Sequence, residues 1–227
     1  MELSHFLKYF EDSCTPSYFI AEIGSNFDGD INRAFKLIDL AKEAGADAVK
    51  FQHYTAASLV SDFGFRSLSK NATHQSSWKK TVFETYEDAS LKKEWTQLLF
   101  EKSKSSEIDF LTSPYSIDLV DYVDQYISCY KIGSGDIDYL EIIEKIATKG
   151  KPIIIGCGAS SWEDLDCLDS FLSPKKVPRA YLQCNTNYTA SKENFKHINL
   201  KVISNMKTRY PNALVGLSDH TYGHSTV

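Results

Sequence analysis

Short apolar runs rich in β-branched residues alternate with longer stretches of helical periodicity, and this rhythm limits the fold more than any other feature of the chain. The first run is Tyr18 to Ile23, followed by a turn containing Asn26, Asp28 and Gly29. A helix is expected near Ile31 to Ala44, with Leu37, Ile38, Leu40 and Ala41 on its apolar face and Gly45 at its C-terminal cap. Ala46 to Gln52 and Ile108 to Ser113 read as the second and third strands, the third preceded by a helix near Leu91 to Ser105. The spacing then tightens: strands at Cys129 to Ile132, Pro152 to Gly156, Arg179 to Cys184 and Ala213 to Leu217 alternate with helices at Leu140 to Thr148, Trp162 to Phe171 and Glu193 to Tyr210.

Strict alternation implies a parallel sheet with helical crossovers, for which two architectures exist, an open doubly wound sheet and a closed barrel. A dinucleotide-binding sheet calls for GxGxxG after its first strand; Gly24-Ser-Asn-Phe-Asp-Gly29 has a different spacing. The expected fold is therefore α/β, a TIM-type (β/α)8 barrel, incomplete, with about seven of its strands present. Residues 1–17 are expected to form an N-terminal arm, helical over part of Met1 to Ser13, and 18–227 the partial barrel. The polar stretch at 54–89 breaks the rhythm at the C-terminal end of a strand, where barrel active sites lie, and is expected to be a lid-like loop.

Composition narrows the partners. The net charge of −5 is spread over interspersed charges with no basic block, which argues against nucleic acid or an anionic membrane surface. No run approaches the roughly 20 apolar residues of a membrane span. Lys8, Glu11 and Asp12 interrupt any signal-peptide core, so a cytoplasmic location is expected. Cys14, Cys129, Cys157, Cys167 and Cys184 form no CxxC pair and are expected to be buried free thiols.

Polar residues stand where the apolar runs end. Glu22 interrupts the first; Lys50 and Gln52 close the second; Ser113 closes the third. Lys131 lies inside the fourth and precedes Gly133-Ser134-Gly135-Asp136. Asn185, Thr186 and Tyr188 follow the sixth, and Ser218-Asp219-His220 the seventh. In a barrel such ends face one pocket, so Lys50 and Lys131 are expected to meet a common anion, which the glycine turn lets backbone N–H groups approach. His220 suits a divalent metal or general acid–base work. Plainer readings stay open: a structural Glu22–Lys50 ion pair, a surface Lys131 on a misread strand, and Ser218-Asp219-His220 as a capped turn.

Several segments together resemble the sialic acid synthases (the N-acetylneuraminate synthase family). They are Ile20-Ala-Glu-Ile-Gly24, Gly45-Ala-Asp-Ala-Val-Lys-Phe-Gln52, Tyr130-Lys-Ile-Gly-Ser-Gly135, Gly150-Lys-Pro152 and Gly216-Leu-Ser-Asp-His-Thr221. The likeness runs from Phe19 to Val227. It implies condensation of phosphoenolpyruvate with an N-acyl amino-sugar aldehyde, such as N-acetylmannosamine, to give a nine-carbon acid and phosphate. By the same resemblance Lys50, Ser113, Lys131, Ser134, Thr186 and Ser218 contact phosphoenolpyruvate. Glu22, Gln52, Asn71 and Tyr188 contact the sugar; Glu22, Asp136 and His220 are catalytic; and His220 is one of two histidines on a manganese or magnesium ion. A homodimer is implied as well.

Departures from the family pattern are visible. Asp136 stands for a common glutamate, Gly156 for a phosphate-binding serine, and Asn26-Phe27-Asp28-Gly29 for Asn-His-Asn-Gly. The resemblance also calls for an eighth strand bearing the second metal histidine and for a C-terminal antifreeze-like domain, neither of which these residues include. The expectation is that this chain alone is inactive or nearly so and associates through open strand edges. Two other readings remain: a Schiff-base aldolase with Lys131 or Lys50 as nucleophile, and a non-catalytic protein that binds a longer partner.

Overall fold

The structure is a computed structural model and describes residues 6, 8–11, 16–68, 75, 78–186, 188 and 191–226. It divides into two compact units, Ser17–Ile127 and Ser128–Val227, the second also taking in Met1–Pro16. Ahead of the first strand lies one turn of helix, α1 (Lys8–Glu11), with the Lys8 ammonium over the Tyr9 ring and Phe6 buried.

The unit Ser17–Ile127 begins with β1 (Ile20–Gly24), α2 (Ile31–Glu43) and β2 (Ala48–His53). Asp30 caps α2 by accepting from the Asn32 N–H, and the helix ends where Gly45 takes φ +85°, a conformation that costs an L-residue and not glycine. Its buried stripe is Ala34, Ile38 and Ala41; Leu40, expected on that face, is exposed, because it lies about 200° around the helix from Ile38.

The segment expected to be a lid-like loop contains three short helices, α3 (Ala56–Leu59), α4 (Asp62–Ser67) and α5 (Val82–Ala89). Each starts on a hydroxyl cap, Thr55, Ser61 or Thr81, and Thr81 with Glu84 forms a reciprocal capping box. Next come α6 (Trp95–Ser105), β3 (Asp109–Pro114) and α7 (Ile117–Val123). The short helix α7 buries Leu119, Val120 and Val123. The strands pair in parallel, β1 with β2 and β2 with β3, setting Glu22 opposite Lys50 and Gln52 opposite Ser113.

The unit Ser128–Val227 contains β4 (Tyr130–Ile132), α8 (Leu140–Ala147), β5 (Ile153–Gly156), α9 (Trp162–Leu172), β6 (Arg179–Cys184), α10 (Lys201–Arg209) and β7 (Leu214–Ser218). These strands also pair in parallel, each with the next. Ile153, Ile154 and Ile155 are wholly buried, as a parallel strand covered on both faces requires, each contributing roughly 1.5–3 kcal/mol. Arg179, at the start of β6, donates to Asp169 of α9 and to Ser173, tying helix to strand away from the strand's C-terminal end. The helix expected over Glu193 to Tyr210 is two elements, a 3-10 segment at Lys192–His197 and then α10, divided at Ile198, whose backbone is extended. Phe-Lys-His-Ile-Asn is a run of mostly weak helix formers, and α10 buries only Met206, too little apolar surface to override them.

Buried cysteines were expected throughout; Cys129, Cys157 and Cys184 are buried, but Cys167 points outward from α9. Cys14 lies outside the described residues. No helix among the described residues is long and apolar enough to cross a membrane.

One core residue carries a pH dependence. His53, 1% exposed, ends β2 and bonds through its two ring nitrogens to Thr112 of β3 and Thr96 of α6, each at 2.8 Å. Burial, reinforced by the Lys93 charge, holds its pKa down at about 4, against 6.5 for the free side chain. As pH falls below about 6.5 the unfolded chain gains a proton that the folded chain refuses, so stability declines until the folded pKa is reached. Chemical denaturation between pH 7 and pH 4.5 is expected to show this loss, approaching ~3 kcal/mol in total. In His53→Gln that one-proton part of the slope disappears, whatever the variant's absolute stability.

Candidate functional site

In the unit Ser17–Ile127 the C-terminal ends of the strands carry a connected polar set. Register places Glu22 beside Lys50, and the Lys50 ammonium lies 2.6 Å from Glu22 Oε2. Lys50 is 5% exposed and also donates to Ser113 Oγ at 3.4 Å. Burying a lysine this far is costly unless oxygen atoms meet it, and these two supply that compensation. The ion pair was one reading of Glu22 and Lys50, and it is present. It does not consume the carboxylate, whose side chain remains 44% exposed. Two residues on, Gln52 Nε2 donates to the Tyr115 hydroxyl at 3.2 Å.

Gly24 closes β1 at φ +54°. A Cβ there would stand 3.3 Å from Glu22 Oε1 and 3.8 Å from Gln52 Oε1, so both acceptors face one bare α-carbon. The Asn26-Phe27 departure has a packing explanation: Phe27 is fully buried between Phe51 and Trp95, a place where an aromatic hydrocarbon is favoured over an imidazole.

In the unit Ser128–Val227 a second set forms around bare backbone. Lys131 lies on β4 and is 9% exposed, which excludes the surface reading. Its ammonium donates to the Ile132 carbonyl at 2.6 Å. A 3-10 turn, Ser134–Asp136, follows directly. The Ser134 hydroxyl accepts from the Gly158 N–H at 3.1 Å. A Cβ on Gly156 would stand 2.6 Å from Ser134 Oγ and 3.3 Å from the Lys131 ammonium. Hydroxyl and ammonium thus converge over a glycine that has no room for a side chain.

Gly158 is equally tight, since a Cβ there would reach within 2.5 Å of the Thr186 methyl. Asp136 is held above the usual carboxylate range by burial, with the nearby Lys131 charge opposing. Cys157 points into the same neighbourhood, but burial pushes its thiol up to about 12, so it is not a nucleophile at neutral pH. Ser218 ends β7 opposite Cys184. Asp219 accepts from both the Thr221 N–H and its hydroxyl, which makes Ser218-Asp219-His220 part of a capped turn. The His220 ring meets the Tyr188 ring edge to face at 4.5 Å. Asn71 lies outside the described residues.

A family model described as the NeuB family matches residues 37–227. The chain belongs to the NeuB family. It is 31% identical over 209 residues to the human N-acetylneuraminate-9-phosphate synthase, covering 92% of this chain and 56% of that protein. It is 32% identical over 214 residues to a pseudaminic acid synthase of Campylobacter jejuni, covering 91% and 59%. Among solved structures, a sialic acid synthetase of Leptospira borgpetersenii in complex with citrate superposes with a TM-score of 0.78 at 27% identity, over 93% of this chain and 68% of that one. The fold class is therefore the expected α/β, TIM-type barrel class, with seven parallel strands among the described residues. The chain spans just over half the length of the curated relatives named here.

For this NeuB-family chain, the structure joins Glu22, Lys50 and Ser113 in one set and gathers Lys131 and Ser134 at Gly156. Tyr188 and His220 form a third contact. Sequence reasoning missed Tyr115 and Gly158. Tyr115 stands two residues beyond Ser113, and a polar aromatic just past a strand end was the available signal; a glycine two residues after another at a strand end was the signal for Gly158.

Gly156→Ser, which introduces the serine that the resemblance led one to expect, is expected to displace Ser134 and cost about 1–3 kcal/mol in a thermal or chemical melt. Adding Ser134→Gly to that variant recovers part of the loss. Equal stability of Gly156→Ser and the parent chain would show that the close approach is not real.

Proposed function

We propose that this chain carries the phosphoenolpyruvate- and sugar-recognising part of a sialic-acid-type synthase. The observation that carries the reading is the convergence of the Lys131 ammonium and the Ser134 hydroxyl over Gly156, a cationic and hydrogen-bonding cradle of the kind a phosphate group requires. The positive charge of the Lys131 ammonium also offsets the repulsion between the phosphate and carboxylate of phosphoenolpyruvate. Lys50, Ser113, Thr186 and Ser218 are the further contacts proposed for that substrate. Glu22, Gln52 and Tyr188 are those proposed for an N-acyl amino sugar.

The relatives support this reading by name, one an N-acetylneuraminate-9-phosphate synthase and the other a pseudaminic acid synthase. In the proposed reaction carbon 3 of phosphoenolpyruvate attacks the aldehyde carbon and a C–C bond forms. Water adds at carbon 2, the bond from carbon 2 to the phosphate oxygen breaks, and a keto acid and inorganic phosphate remain. The aldehyde oxygen takes up a proton. Asp136, lifted in pKa by burial, is suited to hold and release a proton close to Lys131.

His220 is proposed as one ligand of a divalent ion. Among the described residues no three His, Cys, Asp or Glu side chains come together to hold a metal ion. These residues do not by themselves fit such an ion. A cytoplasmic setting and a homodimer belong to the same proposal.

Calorimetric titration with phosphoenolpyruvate tests the reading. Binding is expected, weakened at least tenfold in Lys131→Met, with pyruvate binding far more weakly than phosphoenolpyruvate. Borohydride added with pyruvate is expected to leave the protein mass unchanged. A stable adduct on Lys131 or Lys50 would instead establish the Schiff-base aldolase.

A further inference from the structure

We infer that Tyr115 is a positioning residue which fixes the Gln52 amide so that the site accepts hydrogen bonds from the sugar, making Tyr115 a determinant of sugar selectivity. The inference rests on the proposed function and adds a residue and a recognition chemistry to it.

Four observations within the unit Ser17–Ile127 carry it. First, the Tyr115 hydroxyl receives the Gln52 Nε2 donor at 3.2 Å, which tethers the amide. Second, Gln52 Oε1 is thereby turned toward Gly24, 3.8 Å from where a Cβ would stand. Third, Glu22 Oε1 approaches the same point to 3.3 Å, while Lys50 engages the other carboxylate oxygen. Fourth, the Tyr115 ring is itself held: Tyr54 meets it edge to face at 6.0 Å and is anchored through its hydroxyl to Ser25 at 3.0 Å. Tyr86 of α5 also meets the Tyr54 ring edge to face, at 5.8 Å.

The result is a pair of oxygen acceptors over a glycine that offers no side chain. Without that bond the Gln52 amide is free to turn; with Nε2 bonded to Tyr115 its oxygen faces Gly24. Two adjacent acceptors fit a ligand with two hydrogen-bond donors on neighbouring atoms, as a polyhydroxylated N-acyl amino sugar has, and fit poorly a ligand that lacks one. A site built to receive a donor rejects the analogue without it more strongly than an apolar pocket rejects a change of size.

The test is an NMR titration of the full chain with N-acetylmannosamine and its monodeoxy analogues, with phosphoenolpyruvate titrated separately. The parent chain is expected to bind N-acetylmannosamine and to bind at least one deoxy analogue about tenfold more weakly. Tyr115→Phe is expected to bind N-acetylmannosamine about tenfold more weakly and to lose that discrimination, with its phosphoenolpyruvate affinity and melting temperature kept. In a Gln52→Ala background the same change is expected to add no further loss, because its effect acts through Gln52.

Parent-like sugar binding and discrimination in Tyr115→Phe overturns the inference and leaves the proposed function standing. Equal weakening of both ligands also overturns it, showing a merely structural residue. A parent chain that binds phosphoenolpyruvate but none of the sugars overturns the sugar half of the proposed function and this inference with it.

Discussion

A lysine at the end of an apolar strand is costly to bury, and the local structure around β2 and β4 is shaped by what meets each ammonium. At Lys50 the compensation comes from side chains on the neighbouring strands, Glu22 on β1 and Ser113 on β3, both placed by parallel register. At Lys131 it comes from backbone, the Ile132 carbonyl, with the Ser134 hydroxyl brought close where β5 ends in glycine. The two solutions differ in consequence. The first leaves Glu22 half-exposed, with Lys50 on only one of its carboxylate oxygens. The second leaves an ammonium and a hydroxyl over bare backbone, where an anion's oxygens are favoured.

Glycine sets how near these groups can come. Gly24, Gly156 and Gly158 each stand where a side chain would touch a functional atom or its support. Gly156 replaces the serine expected from the family pattern, and Ser134 Oγ occupies the space that serine would need. The bond from the Gly158 N–H to Ser134 also ties the turn after β4 to the loop after β5.

The strands were legible because a parallel strand covered on both faces is an unbroken apolar run, and Ile153 to Ile155 could hardly be anything else. The polar strand ends were legible for the converse reason: Glu22, Lys50 and Lys131 interrupt such runs at a cost that needs a cause. Helices outside the main rhythm were harder to read. The caps at Thr55, Ser61 and Thr81 were present in the sequence, but the helices they start are short and bury little, so no apolar period marked them. The break at Ile198 was hidden by residues whose spacing alone suits one long helix. Tyr115 could not be read as a partner of Gln52, since the contact spans 63 residues and depends on the register of β2 against β3.

The cradle formed by Lys131 and Ser134 is the claim on which the functional account stands, and a crystal structure of the chain with phosphoenolpyruvate bound tests it most directly. Phosphate oxygens are expected within hydrogen-bond distance of both the Lys131 ammonium and the Ser134 hydroxyl, lying against Gly156. Phosphoenolpyruvate bound at full occupancy with neither group in contact would contradict it.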